Sequence, residues 1–296
     1  MATTMQIAIL YPGEMGTAIG SELQAAGHHI WTDVSERSQQ TKENAQAQGF
    51  QLAENLAAAI DHADLIISLV PPAEAVTAAQ RISAALRAGT AAPRHPMYLD
   101  LNSISPATMR EVAEIVSSAG ARCIDGTIHG QAKRLRKLSV LLLSGPGADD
   151  LRPLFDGFMP IRMLGDEVGV ASSLKMCLGA FTKGLIALSS EIFVAAGSVG
   201  RHKEFAACLT DFYPETAQLI ARLLPSYPKH VARRVQEISE VEAWHGETGV
   251  VDDMTHGTLQ ILEKMCAANL DPDHSWRFEE LLERLVQSEA FRKNLG

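Results

Sequence analysis

Two glycines, Gly13 and Gly16, stand directly after an apolar run, Ile7-Ala8-Ile9-Leu10. Directly after them comes Thr17-Ala18-Ile19-Gly20-Ser21-Glu22-Leu23, which has the pattern of an amphipathic helix. A chain leaving a strand must reverse sharply to start that helix, and residues without side chains let the backbone approach an anionic group. A phosphate placed there rests on free N–H groups at the positive end of the helix dipole. The turn Tyr11-Pro12-Gly13-Glu14-Met15-Gly16 therefore reads as a site for a nucleotide pyrophosphate. Measured against the dinucleotide pattern G-x-G-x-x-G it is incomplete, because Tyr11 occupies the place of the first glycine.

Asp33 follows Gly13 by 20 residues, at the end of a second strand-like run, His29-Ile30-Trp31-Thr32. An acid there accepts hydrogen bonds from an adenosine ribose, as in NAD recognition. An aspartate in a surface loop after a strand has the same local pattern. Arg37, four residues on, suits a ribose 2′-phosphate instead, so NAD and NADP both stay open.

Short apolar runs at Gln6–Leu10, His29–Thr32, Leu65–Leu69, Met97–Asp100 and Arg122–Asp125 alternate with helical patterns, which predicts an α/β fold with a doubly wound parallel sheet. Leu65-Ile66-Ile67-Ser68-Leu69-Val70 is almost uninterrupted, as a strand buried on both faces requires. Loops at the carboxyl ends of such strands form the ligand crevice. Val70, Pro71 and Pro72 are thus candidate cofactor walls, as is the segment Asn102-Ser103-Ile104-Ser105-Pro106, in which Ser105-Pro106 also suits a helix start. After a further strand at Ser139–Ser144 the pattern changes to a long helix over about Val168–Gly197, followed by helical stretches at Phe205–Leu224, Pro228–Val241, Met254–Ala268 and Phe278–Phe291. Residues 1–166 are expected to form a Rossmann NAD(P)-binding domain. Residues 167–296 are expected to form an all-α substrate and dimerisation domain that begins with the linking helix.

The chain has 296 residues, 46% of them hydrophobic, which suits roughly two domains with proper cores. Its net charge of −9 argues against a nucleic-acid partner. The basic run Lys133 to Lys137 opposes that balance and reads as an exposed loop, with an anionic-ligand contact as the other option. Four scattered cysteines without a C-x-x-C pair suggest neither zinc nor disulfides and point to a reducing cytoplasm. The histidines match no metal motif, so no metal is expected. The longest apolar stretch, Met176 to Gly200, carries Lys183 and Glu191, so no membrane partner is expected.

Several ordered motifs together resemble the β-hydroxyacid dehydrogenases, which include 3-hydroxyisobutyrate and 6-phosphogluconate dehydrogenases. They are Gly13-Glu14-Met15-Gly16, Asp100 to Pro106, Asp125-Gly126-Thr127-Ile128-His129-Gly130-Gln131, and Gly169-Val170-Ala171-Ser172-Ser173-Leu174-Lys175. The later stretch Arg233 to Trp244 is similar to the helical C-terminal domain of a poorly characterised, phosphogluconate-dehydrogenase-like branch. The resemblance implies an NAD(P)-dependent oxidoreductase that moves a hydride between nicotinamide and a small, anionic hydroxy acid or its keto form. Lys175 matches the family's catalytic lysine. Near the start of an apolar helix, both desolvation and the helix dipole lower its pKa toward a useful range.

Asn102, Ser103, His129, Gly130 and Gln131 then line the substrate, with Asn102 also near the nicotinamide. Two departures bear on specificity. Where the family has asparagine four residues after the lysine, this chain has Gly179, and His129-Gly130-Gln131 replaces a Ser-Gly-Gly loop. Lys183, two turns beyond Lys175, either adds charge to the site or faces the partner domain. Imine reductases share the implied architecture but generally lack this lysine, and a cofactor-binding sensor without turnover is the third reading. The apolar linking helix points to a homodimer.

Overall fold

The computed structural model describes residues 4–61, 63–89, 95–130 and 132–292; Gln131 lies outside them. Two compact units result, Met1–Lys175 and Met176–Gly296.

In the first unit, β1 (Gln6–Leu10), β2 (His29–Asp33), β3 (Gln51–Ala53), β4 (Leu65–Ser68), β5 (Met97–Asp100), β6 (Arg122–His129), β7 (Val140–Ser144) and β8 (Ile161–Met163) form one sheet. Their order is β3-β2-β1-β4-β5-β6-β7-β8. Helices α1 (Glu14–Ala25), α2 (Gln39–Ala47), α3 (Leu56–Ile60), α4 (Ala75–Ala88), α5 (Pro106–Ser117), α6 (Leu135–Leu138) and α7 (Arg152–Phe155) accompany it. Successive residues of the central strands go to opposite faces. Ile7, Ile9 and Ile67 enter one apolar cluster, while Ala8, Leu10 and Ile66 enter another, which is why these strands read as unbroken apolar runs. Each such buried Ile or Leu contributes about 1.5–3 kcal/mol over exposure. The chain runs outward from β1 through β2 to β3 and then crosses back to β4 on the other side of β1. Connections thus diverge at the carboxyl ends of β1 and β4 and open a crevice there.

Two features depart from the expected parallel sheet. Strand β6 continues past Asp125 to His129, and β7 pairs with it antiparallel. The connection, residues 130–139, holds only a short turn of helix at Ala132–Arg134 and the four-residue α6, too little for the crossover that a parallel neighbour needs. The basic side chains of its run, Lys133, Arg134, Arg136 and Lys137, are exposed as expected, and Leu135 among them is buried. Arg136 grips the Glu22 carboxylate of α1 through two guanidinium nitrogens, Nε to Oε1 at 2.6 Å.

Helix α8 (Val170–Ser198) starts in the first unit and continues into the second, which adds α9 (His202–Phe212), α10 (Pro214–Leu223), α11 (Tyr227–Thr248), α12 (Asp253–Ala267) and α13 (Phe278–Gln287). The second unit contains no strand among the described residues. Ile186, Phe193, Leu224, Ile238, Leu262 and Leu285 build its core. Where one helix was expected over 205–224 there are two, because Pro214 lacks the N–H that would continue the ladder and instead opens α10. By length and composition α8 is apolar enough to cross a bilayer. Its Ile186 and Phe193 are nevertheless buried in this core, and its Lys183 is ion-paired to Glu237 of α11 at 2.9 Å. The sheet-bearing unit takes in the first turns of α8, whose amides are accepted by Asp125 of β6 and Ser144 of β7.

Candidate active site

At the end of β1 the chain turns tightly. The Gly13 N–H donates to the Tyr11 carbonyl (2.8 Å), the Thr17 N–H to the Gly13 carbonyl (2.8 Å), and the Thr17 hydroxyl to the Pro12 carbonyl (2.9 Å). No side chain caps α1, so the field of its first amides points out of the turn. The two motif glycines have different reasons. A Cβ on Gly16 would sit 2.4 Å from the Tyr11 carbonyl oxygen, so the backbone itself demands glycine there. A Cβ on Gly13 meets nothing of the protein within 4 Å, and its φ of −66° is open to any residue. Close approach of a ligand is what its bare backbone suits, and the residues of the turn fit a pyrophosphate. Gly20 lets α1 lie on β1 and against Phe50: its Cβ would stand 2.9 Å from Ile9 Cδ1 and 2.5 Å from Phe50 Cζ. Its spacing of four from Gly16 places both glycines on one helix face.

Around the end of β2, Asp33 is buried, and its Oδ1 accepts from the Ser35 N–H (2.9 Å) and hydroxyl (2.6 Å). The Arg37 guanidinium lies 3.8 Å over the Tyr11 ring centroid, and its Nε is buried without a hydrogen-bond partner. Tyr11 thus trades the first glycine of the pattern for a platform under a cation. Arg81 of α4 pairs with Glu36 at 2.8 Å.

Asn102, just past β5, is held on every polar atom of its side chain. Its Oδ1 accepts from the Val70 N–H (2.6 Å), and its Nδ2 donates to Ser68 Oγ (3.1 Å) and Asp100 Oδ2 (2.9 Å). Asp100 also accepts from the Asn102 N–H (2.8 Å) and the Tyr98 hydroxyl (3.2 Å). Pro71 and Pro72 stand exposed beyond Val70. Burial pushes the Asp100 carboxyl up from 3.8 to about 7, with the neighbouring Asp125 adding to the rise against the donated hydrogen bonds. A carboxyl raised by folding keeps a proton that the unfolded chain releases. Its contribution to stability is therefore full below pH 3.8 and lost as pH rises toward about 7. We expect Asp100→Asn to remove that decline, so that the difference in Tm between wild type and variant shifts toward the variant over this interval in calorimetry.

Helix α8 is preceded by a glycine with positive φ, Gly169 (+100°), which has no side chain to cap it. Asp125 of β6 and Ser144 of β7 cap it from the sheet. Asp125 Oδ2 accepts from the Gly169 N–H (2.9 Å) and the Ser172 N–H (3.0 Å), while Oδ1 accepts from the Ser172 hydroxyl (2.8 Å). Ser144 Oγ accepts from the Ala171 N–H (3.0 Å) and donates to Asp125 (3.2 Å). Lys175 lies on the second turn of this helix, and its Nζ donates to Ser103 Oγ at 2.7 Å. Lys175, Ser103 and Asn102 thus meet where β5 ends and α8 begins.

His129 and Gly130 are exposed at the end of β6. Gly130 has φ of +156°, and a Cβ there would strike Ser139 Oγ at 2.1 Å, so packing alone accounts for that glycine. In the second unit Lys183 Nζ is taken up by Glu237 and approaches the Gly179 carbonyl (3.4 Å).

A doubly wound sheet with a glycine turn after β1 defines a dinucleotide-binding protein, and here the cofactor is NAD or NADP. Residues 6–157, just over half of the chain, match the family described as the NAD binding domain of 6-phosphogluconate dehydrogenase, and the chain belongs to that family. It is an NAD(P)-dependent oxidoreductase of 3-hydroxyacid dehydrogenase-like architecture. Residues 196–265 match a domain of unknown function (DUF1932). An uncharacterized 28.5 kDa protein of Methanothermus fervidus is 28% identical over 80% of this chain and 90% of its own. A 3-hydroxyisobutyrate dehydrogenase of Pseudomonas aeruginosa is 25% identical over 58% of this chain and 57% of its own. Among solved structures, a conserved protein of unknown function described as similar to 3-hydroxyacid dehydrogenases superposes with a TM-score of 0.73, at 26% identity over 88% of this chain and 96% of that one. An imine reductase from Myxococcus stipitatus shares the fold at 17% identity, with a TM-score of 0.61 over 96% of this chain and 100% of that one.

Proposed function

We propose that this protein oxidises a small, anionic β-hydroxy acid, or reduces its oxo form, with Lys175 as the general acid/base. The observation that carries the reading is the Lys175–Ser103 hydrogen bond of 2.7 Å beside the fully anchored Asn102. NAD(P)+ bound on the glycine turn supplies the hydride acceptor. In the oxidising direction the Lys175 amine takes the hydroxyl proton as the C–H hydride leaves, and the product is a carbonyl with Lys175 as ammonium. Ser103 Oγ holds the amine at the substrate's hydroxyl, and the Asn102 amide, fixed by Val70, Ser68 and Asp100, keeps one orientation toward carboxamide or substrate. His129 and Gly130 close the substrate side, and the compartment we assign is the cytoplasm. Screening β-hydroxy acids, their oxo acids and cyclic imines with both cofactors tests this. Turnover of hydroxy acids is expected, turnover of imines alone would assign C=N reduction, and cofactor binding with no turnover would make the protein a sensor.

NADP is the cofactor we assign. Asp33 has one carboxylate oxygen occupied by Ser35, and Arg37 stands ready over Tyr11. Arg37→Ala is expected to weaken NADPH about tenfold or more, equivalent to about 1.4 kcal/mol, and to leave NADH unchanged in a fluorescence titration. Equal effects on both would return the assignment to NAD.

The assembly we propose is a homodimer. Leu178, Phe181, Leu188 and Ile192 of α8 and Val199 just past its end are exposed, Phe181 by 69% and Val199 by 71%, and their spacings of three, four and seven residues make one stripe. Phe181→Asp combined with Leu188→Asp is expected to convert dimer to monomer in sedimentation velocity; an unchanged mass would remove this stripe as the interface.

A further inference from the structure

We propose that Asp125 is a positioning residue for Lys175, acting from β6 as the cap of the helix that carries it. This inference rests on the catalytic reading of Lys175. An ordinary helix start is capped by a residue one turn away in sequence. Here the residue before the helix is glycine, and the cap comes from a strand 44–47 residues earlier in the chain. Asp125 and Ser144 together accept from three amides at the helix start, those of Gly169, Ala171 and Ser172, and from the Ser172 hydroxyl. Both are wholly buried. A buried carboxylate that accepts four hydrogen bonds resists rotation or sliding of the helix, because any such motion leaves a charge desolvated without partners.

The register of α8 then fixes where the Lys175 amine sits. Ser103, its partner, follows β5, and β5 is paired directly with β6. The base and the group that aligns it are therefore both referred to one sheet. Gly145 supports the same junction: a Cβ on it would come within 3.1 Å of the Cys123 carbonyl and 3.3 Å of Val168. The glycine turn at β1 has no part in this clamp. Loosening the clamp should therefore lower turnover without touching cofactor binding.

The experiment compares Asp125→Ala, Asp125→Asn and Ser144→Ala with wild type, using 3-hydroxyisobutyrate and whichever hydroxy acid of the panel turns over. Cofactor affinity, Tm and hydrogen exchange at the amides of residues 169–172 are measured alongside. We expect kcat of Asp125→Ala to fall about 10²-fold, the cost of a displacement near 1 Å, with KM for the cofactor unchanged and faster exchange at the α8 start. Asp125→Asn, which keeps an acceptor, is expected to recover part of kcat, and Ser144→Ala to give a smaller loss with a normal fold. A stable Asp125→Ala with wild-type kcat, or Ser144→Ala and Asp125→Asn variants whose exchange at residues 169–172 is unaltered, would overturn the proposal. Failure of the catalytic reading is distinguishable, since Lys175→Ala would then retain turnover whatever the exchange data show.

Discussion

Turnover of Lys175→Ala is expected to fall by about 10²–10⁴-fold, the usual worth of a positioned acid/base, while its affinity for NADH and NADPH stays at the wild-type level. The substitution leaves every residue of the turn proposed to hold the pyrophosphate in place. What is lost is the group hydrogen-bonded to Ser103 beside Asn102. Lys175→Arg sharpens the result. A guanidinium keeps the charge but does not give up its proton near neutral pH. If the lysine only binds an anionic substrate, arginine restores much of the rate; if it shuttles the proton, arginine remains as slow as alanine. Single-turnover kinetics with bound cofactor separates these, and undiminished turnover in the alanine variant would sink the catalytic role.

The second large effect divides the two motif glycines. Gly13→Ala is expected to leave Tm unchanged, since its new Cβ meets no protein atom within 4 Å, and to weaken both cofactors by tenfold or more, about 1.4 kcal/mol. Gly16→Ala pushes a Cβ to 2.4 Å from a backbone oxygen. Overpacking of that kind costs about 1–3 kcal/mol, so stability and cofactor binding should fall together. Calorimetry and nicotinamide fluorescence on the pair read both quantities. Unimpaired cofactor binding by Gly13→Ala would mean that the pyrophosphate does not rest on this turn.

Much of this arrangement is legible along the chain because its signals are local. Apolar runs ending in glycine or proline mark strands β1 and β4, and the glycine spacing marks the turn between β1 and α1. The three-residue strands β3 and β8 escape such reading, being too short to show a period. The antiparallel entry of β7 depends on how little chain separates it from β6, a matter of connection length and not of strand composition. The roles of Asp100 and Asp125 are illegible for a different reason. Asp100 ends the apolar strand β5 and is held by Tyr98 and Asn102, whereas Asp125 stands within β6, and its partners Ser144, Gly169 and Ser172 lie 19 to 47 positions further along the chain. Lys183 shows the same limit. Its spacing from Lys175 is visible in the chain, whereas its ion pair with Glu237 requires α11 to be in place.

The outer strands of the sheet carry a consequence for solubility. Both edges of the eight-stranded sheet are only three residues long, Gln51–Ala53 and Ile161–Met163, and the second has Arg162 at its centre. An edge so short, or so charged, offers a poor template for strand addition by another chain. Growth of the sheet from molecule to molecule is thereby discouraged at both ends, and a concentrated solution of this protein is protected against fibrous aggregation even though the strands between those edges are among its most apolar segments.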